Sequence, residues 1–583
     1  MRQNTLSIHS ENILPIIKKW LYSDKDIFLR ELVSNACDAL NKLRIVLGDE
    51  GKFAISIEVN KEKKEIVISD TGIGMTEEEV EKYIAQIAFS GAEEFVQKYQ
   101  SQTEKDPIIG HFGLGFYSAY MVASKVEIDT RSYLTHSEPV FWSCDGSSSY
   151  SIGAGNRETR GTKITLHIDG ESLEYLEESK IRELLQRHCA FMPFPIELNG
   201  KALGNQDPLW LKSPADCTEA EVLAFYRRLF PLEPDPIFWI HLNVDYPFHL
   251  KGILYFPKLH RKFDSNESTI KLFCNRVFVS DNCKDILPDY LMILRGAIDS
   301  PDIPLNVSRS YLQVDKNVKQ LSAHISKKVS DRLHQIYRQE RQKFIDSWPD
   351  IEMIVKLGIL QDEKFYERTK EILVWKNSSG EMAPIPSDAK KIFYSTVENS
   401  PLLKLYKEVI FAPSPLDIAV IQFLEEKLSI PFQRIDGALD ESLIDSSREK
   451  TLLDAEGKTE PARIADFIRG ALNNVEVEAK SLSSEELPGL VVLDETQRRF
   501  RDYMHLTHGK KGDTKRKFIV NTNHKLIQAI SRLYPKQPEL AASLAKGVYD
   551  LSLLSQREVS PDELGNIVQS QTDILGTIAS LLQ

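Results

Sequence analysis

Cysteine is scarce in this sequence. Only six of the 583 residues are cysteines, and no two of them form a Cys-x-x-Cys pair; they are Cys37, Cys144, Cys189, Cys217, Cys274 and Cys283. This sparse set excludes a disulfide-stapled scaffold, and its spacing excludes a zinc site built from paired cysteines. We expect free thiols in a reducing compartment.

Long apolar runs are missing as well. No run approaches the roughly 18 residues that predict a membrane-spanning helix. The first thirty residues carry charged side chains, among them Lys18, Lys19 and Lys25, and contain no apolar signal-peptide core. The sequence therefore predicts a cytoplasmic protein with no membrane partner.

An excess of positive charge is also lacking. Lys and Arg number 73 against 85 Asp and Glu, which gives a formal net charge of −12. An acidic surface repels phosphate backbones, so we expect no nucleic-acid partner. The rest of the composition is typical of a globular protein, and the length suggests about three or four domains.

The segment up to residue 205 mixes helix and strand patterns. Apolar residues recur at helical spacing over 12–22 and 26–46, whereas strict alternation over 53–59 and 65–70 predicts a β-hairpin. Further strands are predicted from Trp142 to Leu166. Helices combined with an antiparallel sheet predict an α+β domain.

Other stretches define the organisation of the chain. The glycine-punctuated stretch 90–115 predicts a loop that closes over a site. A second segment contains the strand pattern Lys271–Val279, and the polar stretch 446–460 reads as a linker or exposed turn. We predict three domains, which are 1–205, 206–445 and 446–583.

The chain ends in a predicted helix. Ser560, Pro561 and Glu563 form an N-terminal capping signature. An apolar stripe at near-heptad spacing follows, and it needs a partner surface. Packing inside its own domain and self-association both fit this stripe, and self-association is favoured because little of the chain remains to cover it.

One predicted helix carries polar groups on a single face. Glu31, Asn35 and Asp38 stand at positions i, i+4 and i+7. Polar groups that interrupt a core-facing helix are costly unless they meet water, metal or ligand.

Two glycine motifs follow this helix. Asp70-Thr-Gly-Ile-Gly74 places a carboxylate at a strand end beside glycines that allow close backbone approach. Gly110-His-Phe-Gly-Leu-Gly115 leads into a helical pattern at Phe116, and such loops suit phosphate. Each motif alone is also typical of an ordinary turn, so the signal lies in their joint occurrence within residues 31–115.

Together these motifs resemble the ninety-kilodalton heat-shock chaperone family, in its bacterial branch. That family belongs to an ATPase class that also includes gyrase, histidine kinases and MutL. The resemblance covers nearly the whole chain, is thinner from about 350 to 500, and is carried by Phe28–Ala39, Asp70–Met75, Gly110–Tyr120, Gly161–His167 and Pro304–Gln313.

The resemblance implies an architecture and partners. It implies an N-terminal ATP-binding domain of the α/β-sandwich (Bergerat) type, an α/β middle domain that supplies a catalytic arginine, and a mostly helical C-terminal dimerisation domain. ATP and Mg²⁺ are the implied cofactors. The implied partners are partly folded client proteins, a second copy of the chain and other chaperones.

The resemblance also implies roles at the purine end of the site. Asp70 would accept the adenine amino group, and Gly74 and Thr162 would complete the purine contacts. Met75 and Phe116 would line the base pocket.

Further implied roles lie at the phosphate end. Asn35 would hold Mg²⁺, with Asp38 and Ala39 on the same binding face. Glu31 would act as general base, and Arg309, assisted by Gln313, would reach the γ-phosphate. Backbone N–H groups would be offered to the phosphates by Gly113, Leu114, Gly115 and Phe116.

This chain departs from the family pattern beside the predicted loop. Phe89 stands where the family usually has Lys, Ala92 where it has Thr, and Tyr83 where it often has Asn or His. The side chains that supply a phosphate-side contact and a loop hydrogen bond in the family are therefore changed here.

The favoured interpretation is an ATP-driven homodimeric chaperone. Two alternatives remain at this stage. One is another ATPase of the same class, of the topoisomerase or mismatch-repair type, against which the net charge of −12 argues. The other is a non-hydrolysing binding relative, for which Tyr83, Phe89 and Ala92 are the only support.

Overall fold

The structure is a computed structural model in which two units are described. The units are Met1–Ile354 and Val355–Gln583. The described residues are 24–48, 52–86, 89–90, 95, 109–110, 113–147, 149–204, 207–259, 269–281, 283, 286–303, 316–437, 439–445, 447–448, 457–472, 475–493, 516–556, 558–559 and 561–581.

The described part of the first unit contains two sheets and seven α-helices. Its helices are α1 Ile27–Leu47, α2 Glu77–Tyr83, α3 Glu178–His188, α4 Glu219–Leu229, α5 Lys316–Gln339, α6 Arg341–Asp346 and α7 Trp348–Gln361, the last of which crosses the boundary between the units. Its 3₁₀ helices are Gly115–Met121, Leu173–Leu176, Leu209–Leu211, Pro214–Asp216 and Asp289–Leu291.

The strands of the first unit form an eight-stranded and a five-stranded sheet. They are β1 Ile55–Asn60, β2 Glu65–Asp70, β3 Ala123–Arg131, β4 Val140–Cys144, β5 Tyr150–Ala154, β6 Gly161–Ile168, β7 Ile196–Leu198, β8 Lys201–Leu203, β9 Phe238–Val244, β10 Leu250–Phe256, β11 Thr269–Cys274, β12 Val277–Ser280 and β13 Arg295–Asp299. The sheet orders are β5-β4-β3-β6-β2-β1-β7-β8 and β12-β11-β13-β10-β9.

The predicted hairpin places a carboxylate in the core of the eight-stranded sheet. β1 and β2 pair antiparallel from Ile55 opposite Asp70 to Asn60 opposite Glu65. Side chains alternate in β2, so Ile66, Ile68 and Asp70 all point to the buried side. Asp70 is thus the last inward position of the strand.

Helix α1 covers the same core. Fourteen of its 21 residues are buried, because apolar side chains occur on most of its circumference. It packs against β2, α3 and the 3₁₀ helix Gly115–Met121. The helix predicted over 26–46 is confirmed, and the one predicted over 12–22 lies outside the described residues.

The helix expected after Gly115 is present as a 3₁₀ helix. One prediction about strands needs correction. The apolar run Lys271–Val279 is not one strand but a hairpin, because Asn275 and Arg276 adopt positive φ angles of 50° and 69° and reverse the chain between β11 and β12.

The described part of the second unit contains three small sheets and six further α-helices. The helices are α8 Glu363–Thr369, α9 Pro415–Leu428, α10 Glu460–Ala471, α11 Lys525–Leu533, α12 Pro538–Ser555 and α13 Pro561–Leu581, with 3₁₀ helices Lys370–Ile372, Pro401–Leu405 and Glu441–Leu443. The strands are β14 Val374–Lys376, β15 Met382–Pro384, β16 Ile392–Ser395, β17 Ile410–Phe411, β18 Phe432–Arg434, β19 Glu476–Lys480, β20 Gly489–Leu493 and β21 Arg516–Asn521, in the orders β14-β15, β17-β16-β18 and β19-β21-β20.

The terminal helix α13 packs against α12 along one side only. Ile567 and Ile574 are buried. Gly547 of α12 allows the close approach, because a Cβ there would lie 2.9 Å from Ile574 Cδ1. The predicted helix is confirmed, whereas its capping residue Ser560 lies outside the described part of the chain.

The expected fold class is confirmed, because both units combine helices with sheets, which are largely antiparallel in the first unit and mixed in the second. No helix within the described residues is long and apolar enough to cross a membrane.

Candidate functional site

Helix α1 presents the predicted polar face. Glu31 and Asp38 are buried and Asn35 is half-buried, although all three sit on a helix that otherwise faces a hydrophobic core. Each buried carboxylate therefore needs a specific partner.

Arg30 holds Glu31 from the preceding position of the helix. Its Nε and Nη2 donate to Glu31 Oε1 at 3.1 and 3.0 Å, and the guanidinium is 98% buried. The other oxygen, Oε2, faces the glycine loop, since a Cβ added to Gly115 would lie 2.8 Å from it. One oxygen of Glu31 is thus held by Arg30, and the other points toward the loop.

Asp38 ties the start of the glycine loop to α1. Its two oxygens accept the backbone N–H groups of Ile109 and Gly110, each at 2.7 Å. A Cβ on Gly110 would lie 3.2 Å from Asp38 Oδ2 and 3.5 Å from Asn35 Oδ1. The loop therefore passes directly over Asn35 and Asp38, and there is little room for a side chain at Gly110.

Asp70 is a buried carboxylate at the end of β2. Its Oδ1 accepts the Gly72 N–H at 2.8 Å, and Arg157 donates to its backbone carbonyl at 2.6 Å. Burial raises the pKa of Asp70 to about 6, against the lowering effects of the Gly72 hydrogen bond and of the Arg157 charge. At neutral pH the side chain is largely ionised, and a further donor would stabilise it.

Gly74 follows Asp70 in a conformation that only glycine adopts easily. Its φ is +63°, and a Cβ would lie 1.9 Å from the Arg131 carbonyl oxygen. The next residue, Met75, donates its N–H to Thr130 Oγ1 at 3.1 Å, and Thr130 Oγ1 lies 3.0 Å from Thr162 Oγ1. Thr162 is thus held in the same buried hydroxyl pair that fixes Met75.

The glycine loop is closely packed where it is described. Gly113 has φ +63°, and a Cβ there would lie 2.5 Å from the Phe89 carbonyl oxygen. Leu114 precedes the 3₁₀ helix Gly115–Met121, in which Phe116 is buried against the Trp142 ring at 5.8 Å. The loop is therefore followed directly by a 3₁₀ helix whose first side chains are buried in the core.

The residues predicted for the two ends of the site meet at α1. Ile73 donates its N–H to the Ala39 carbonyl at 3.1 Å, and a Cβ on Gly72 would lie 2.7 Å from Ala39 Cβ. The structure thus brings the Asp70 motif and the glycine loop to one helix. Arg309 and Gln313, predicted to complete the site, lie outside the described residues.

The donor set bears on which metal this site could hold. Among the described residues, no group of three or more His, Cys, Asp or Glu side chains could hold a metal ion. Asp38 already uses both oxygens on backbone N–H groups. What α1 offers is the half-buried amide of Asn35, a single oxygen ligand. That fits Mg²⁺, which takes few protein ligands and keeps phosphate and water oxygens.

Two of the departures noted in the sequence are in contact. The rings of Tyr83 and Phe89 stack at 6.0 Å with an interplanar angle of 18°, and the Lys82 ammonium lies 5.4 Å and 5.2 Å from their centroids. Their side chains therefore form one aromatic and cationic cluster. Ala92 lies outside the described residues.

Arg30 was not singled out by the sequence patterns. An arginine is commonly a solvated residue, and only its position next to Glu31 on a helix buried on most sides could have indicated a buried ion pair.

Known proteins are similar to this chain over nearly its whole length. The family model described as Hsp90 protein matches residues 199–563, and the model described as histidine kinase-, DNA gyrase B- and HSP90-like ATPase matches residues 24–151. Two curated relatives named as chaperone protein HtpG are similar to it. The protein from Bacteroides fragilis strain YCH46 is 38% identical over 96% of this chain and 88% of its own length, and that from Porphyromonas gingivalis strain W83 is 39% identical over 94% and 87%. A mitochondrial TNF receptor-associated protein 1 homologue of Dictyostelium discoideum is 27% identical over 94% of this chain and 82% of its own.

Proposed function

This chain belongs to the Hsp90 family and is an ATP-dependent chaperone of that family, and from this premise we propose how its own residues bind and hydrolyse the nucleotide. The observation that carries the proposal is the convergence on α1 of a buried strand-end carboxylate and a glycine loop.

Asp70 recognises the purine in this proposal. Its buried carboxylate accepts the adenine amino group, which adds a donor to the one that Gly72 already supplies. Gly74 lets the chain pass close to the base. Thr162, whose hydroxyl is paired with that of Thr130, contacts the base through this hydroxyl. Met75 and Phe116 form the apolar walls.

The phosphates lie against the glycine loop. Gly113, Leu114, Gly115 and Phe116 offer backbone N–H groups at the start of a helix, where such groups favour anions. Asn35 holds Mg²⁺ from α1, on the face that Asp38 and Ala39 complete. When bound, the ion neutralises phosphate charge.

Glu31 acts as the general base. Arg30 fixes one carboxylate oxygen, and the other, which faces Gly115, accepts a proton from the attacking water. Arg309, with Gln313, meets the charge on the terminal phosphate from the middle domain. The roles of Arg309 and Gln313 rest on the sequence resemblance alone.

The wider organisation is proposed as three domains, 1–205, 206–445 and 446–583, with two chains joined at the C-terminal domain. Support comes from α13, on which Leu564, Val568, Leu575 and Leu581 are exposed while Ile567 and Ile574 face α12. A second copy of this helix would cover the exposed side. Clients are partly folded proteins in the cytoplasm, and other chaperones are further partners.

Replacing Glu31 by Gln tests the assignment of the base. Gln keeps an oxygen for Arg30 but cannot take a proton, so we expect ATP affinity within about threefold of the unmodified protein and turnover lower by about 100-fold or more. Nucleotide binding by calorimetry and steady-state phosphate release measure the two effects.

The exposed Glu58 of β1 provides a matched control. Glu58→Gln makes the same chemical change in the same unit, at an exposed position, and should alter neither quantity. Turnover of Glu31→Gln at the unmodified rate would show that Glu31 is not the base.

A further inference from the structure

The segment between α3 and β7 belongs to two hydrophobic cores. The ring of Phe191 lies 5.0 Å from Trp210 and 5.3 Å from Phe273, inside the core of the five-stranded sheet. Met192 and Phe194, one and three residues later, pack in the core that α1 shares with the eight-stranded sheet. Because four consecutive residues bridge both cores, a shift of one core must displace the other.

Helix α1 contacts this segment directly. The Arg44 guanidinium, in the last turn of α1, lies 5.1 Å from the centre of the Phe194 ring. Glu31, Asn35 and Asp38 stand on the same rigid helix. The position of the Phe191–Phe194 segment therefore bears on the position of the candidate nucleotide site.

Arg276 fastens the segment to the five-stranded sheet. Its Nε donates to the Phe191 carbonyl at 2.6 Å, and its Nη2 donates to Asp207 Oδ1, also at 2.6 Å. The Asp207 side chain is 80% exposed, so that contact contributes little. The bond to Phe191, at the boundary of the two cores, is the one that holds the segment.

The five-stranded sheet in turn fixes Arg276. Arg276 occupies the second position of the β11–β12 turn with φ +69°, a conformation that is unfavourable for a side chain of its size. Asp299, buried at the end of β13, accepts the Arg276 N–H at 3.0 Å and the Trp210 indole N–H at 3.3 Å through Oδ2. The turn is therefore clamped from the neighbouring strand.

The charge of Arg276 also reaches α1. Burial raises the pKa of the Cys37 thiol, and the positive charge of Arg276 is among the groups that oppose this rise. Val277, the next residue, packs in the same core as α1. The hairpin thus contributes a residue to the core that α1 covers.

We propose that Arg276 is a positioning residue for ATP hydrolysis, which holds α1 in register with the five-stranded sheet through the Phe191 carbonyl. This inference rests on the proposed placement of the nucleotide on α1. Chemistry is more sensitive than binding to displacements of about 1 Å, so a loosened segment should slow turnover before it weakens affinity.

The test compares two substitutions at the same cluster. Arg276→Gln removes the bonds to Phe191 and Asp207, and we expect turnover to fall about tenfold with ATP affinity within about twofold of the unmodified protein. Asp207→Asn, the matched control, disturbs only the exposed contact and should leave both unchanged. Steady-state phosphate release and calorimetry with ATP and Mg²⁺ give the two quantities.

Arg276→Lys keeps the test decisive if Arg276→Gln does not fold. A single ammonium keeps the charge but cannot hold both acceptors, so we expect an intermediate loss of about two- to fivefold in turnover. Unmodified turnover in folded Arg276→Gln or Arg276→Lys would overturn the proposal, and so would a loss of affinity equal to the loss of turnover. An unmodified protein that fails to bind ATP would instead contradict the proposed function.

Discussion

At the scale of single residues, the site depends on carboxylates held in a hydrophobic core. Glu31 is held by Arg30, and Asp38 by two backbone N–H groups. Burial raises the pKa of Asp70 to about 6, close to the physiological range, and a ligand that donates to it will favour the ionised form.

Nucleotide selectivity should consequently depend on pH. We compare ATP with purine riboside triphosphate, which lacks the 6-amino group but has the same phosphates. A hydrogen bond to a charged group contributes about 1.5–3 kcal/mol, so above pH 7 ATP should bind about tenfold or more tightly. The raised pKa of about 6 places protonation of Asp70 between pH 7 and 5, and the affinity ratio should fall in that window.

Competition binding at several pH values measures this ratio. Protonation of the phosphates affects both nucleotides equally, so it does not change the ratio. A ratio that stays constant from pH 8 to 5 would mean that Asp70 does not accept the amino group.

How much of the site could be predicted depends on the residue. Glu31, Asn35 and Asp38 could be placed on one face because helical spacing alone decides it, and Asp70 because its motif ends a strand. Arg30 could not, since its burial depends on packing around the whole circumference of α1. Arg276 could not either, because Asp299 and Phe191 reach it from other parts of the chain.

At the scale of elements, local patterns predicted regular structure and failed where a distant contact decides the turn. Helix α1 and the β1–β2 hairpin follow from periodicity. The β11–β12 turn has no glycine in Asn275-Arg276, so its sequence resembles a continuous strand. The N–H of Arg276 finds its acceptor 23 residues away at Asp299, and that contact is not visible in the local sequence.

A substitution at Gly74 tests whether the turn after Asp70 depends on the backbone conformation of this glycine. Gly74→Ala places a Cβ 1.9 Å from the Arg131 carbonyl oxygen at positive φ, so the backbone must move. We expect a loss of more than about 1 kcal/mol in the free energy of unfolding and weaker ATP binding. Urea denaturation and calorimetry provide the two measurements.

Gly153 of β5 is the control for this substitution. Nothing lies within 4 Å of a Cβ at that position, and its φ is not positive. Gly153→Ala should therefore leave ATP affinity unchanged. Equal effects of the two substitutions would contradict the close approach at Gly74.

At the scale of the whole molecule, the proposed dimer depends on what covers α13. Val568 and Leu575 are 57% and 67% exposed on the side of the helix that neighbours the buried Ile567 and Ile574. Exposed apolar patches on a helix are typical of an interaction site. The proposed dimer would bury this side and leave Ile567 and Ile574 in their own unit.

Charged residues on that side should separate the two chains. For Val568→Glu combined with Leu575→Glu, we expect monomers in sedimentation analysis and an unchanged circular dichroism spectrum, because neither side chain belongs to a core. Asn566→Glu, at an exposed position on the opposite side of the helix, should leave the dimer intact. A dimer that survives the double substitution would locate the interface elsewhere.

The most direct test of the account is a calorimetric titration of ATP in the presence of Mg²⁺ into the intact protein and into Asp70→Asn. We predict one nucleotide per chain for the intact protein, and an affinity about tenfold or more lower for Asp70→Asn, since the amide cannot replace a charged acceptor. Absence of binding to the intact protein, or equal affinity for both proteins, would contradict the assignment of the purine site to Asp70.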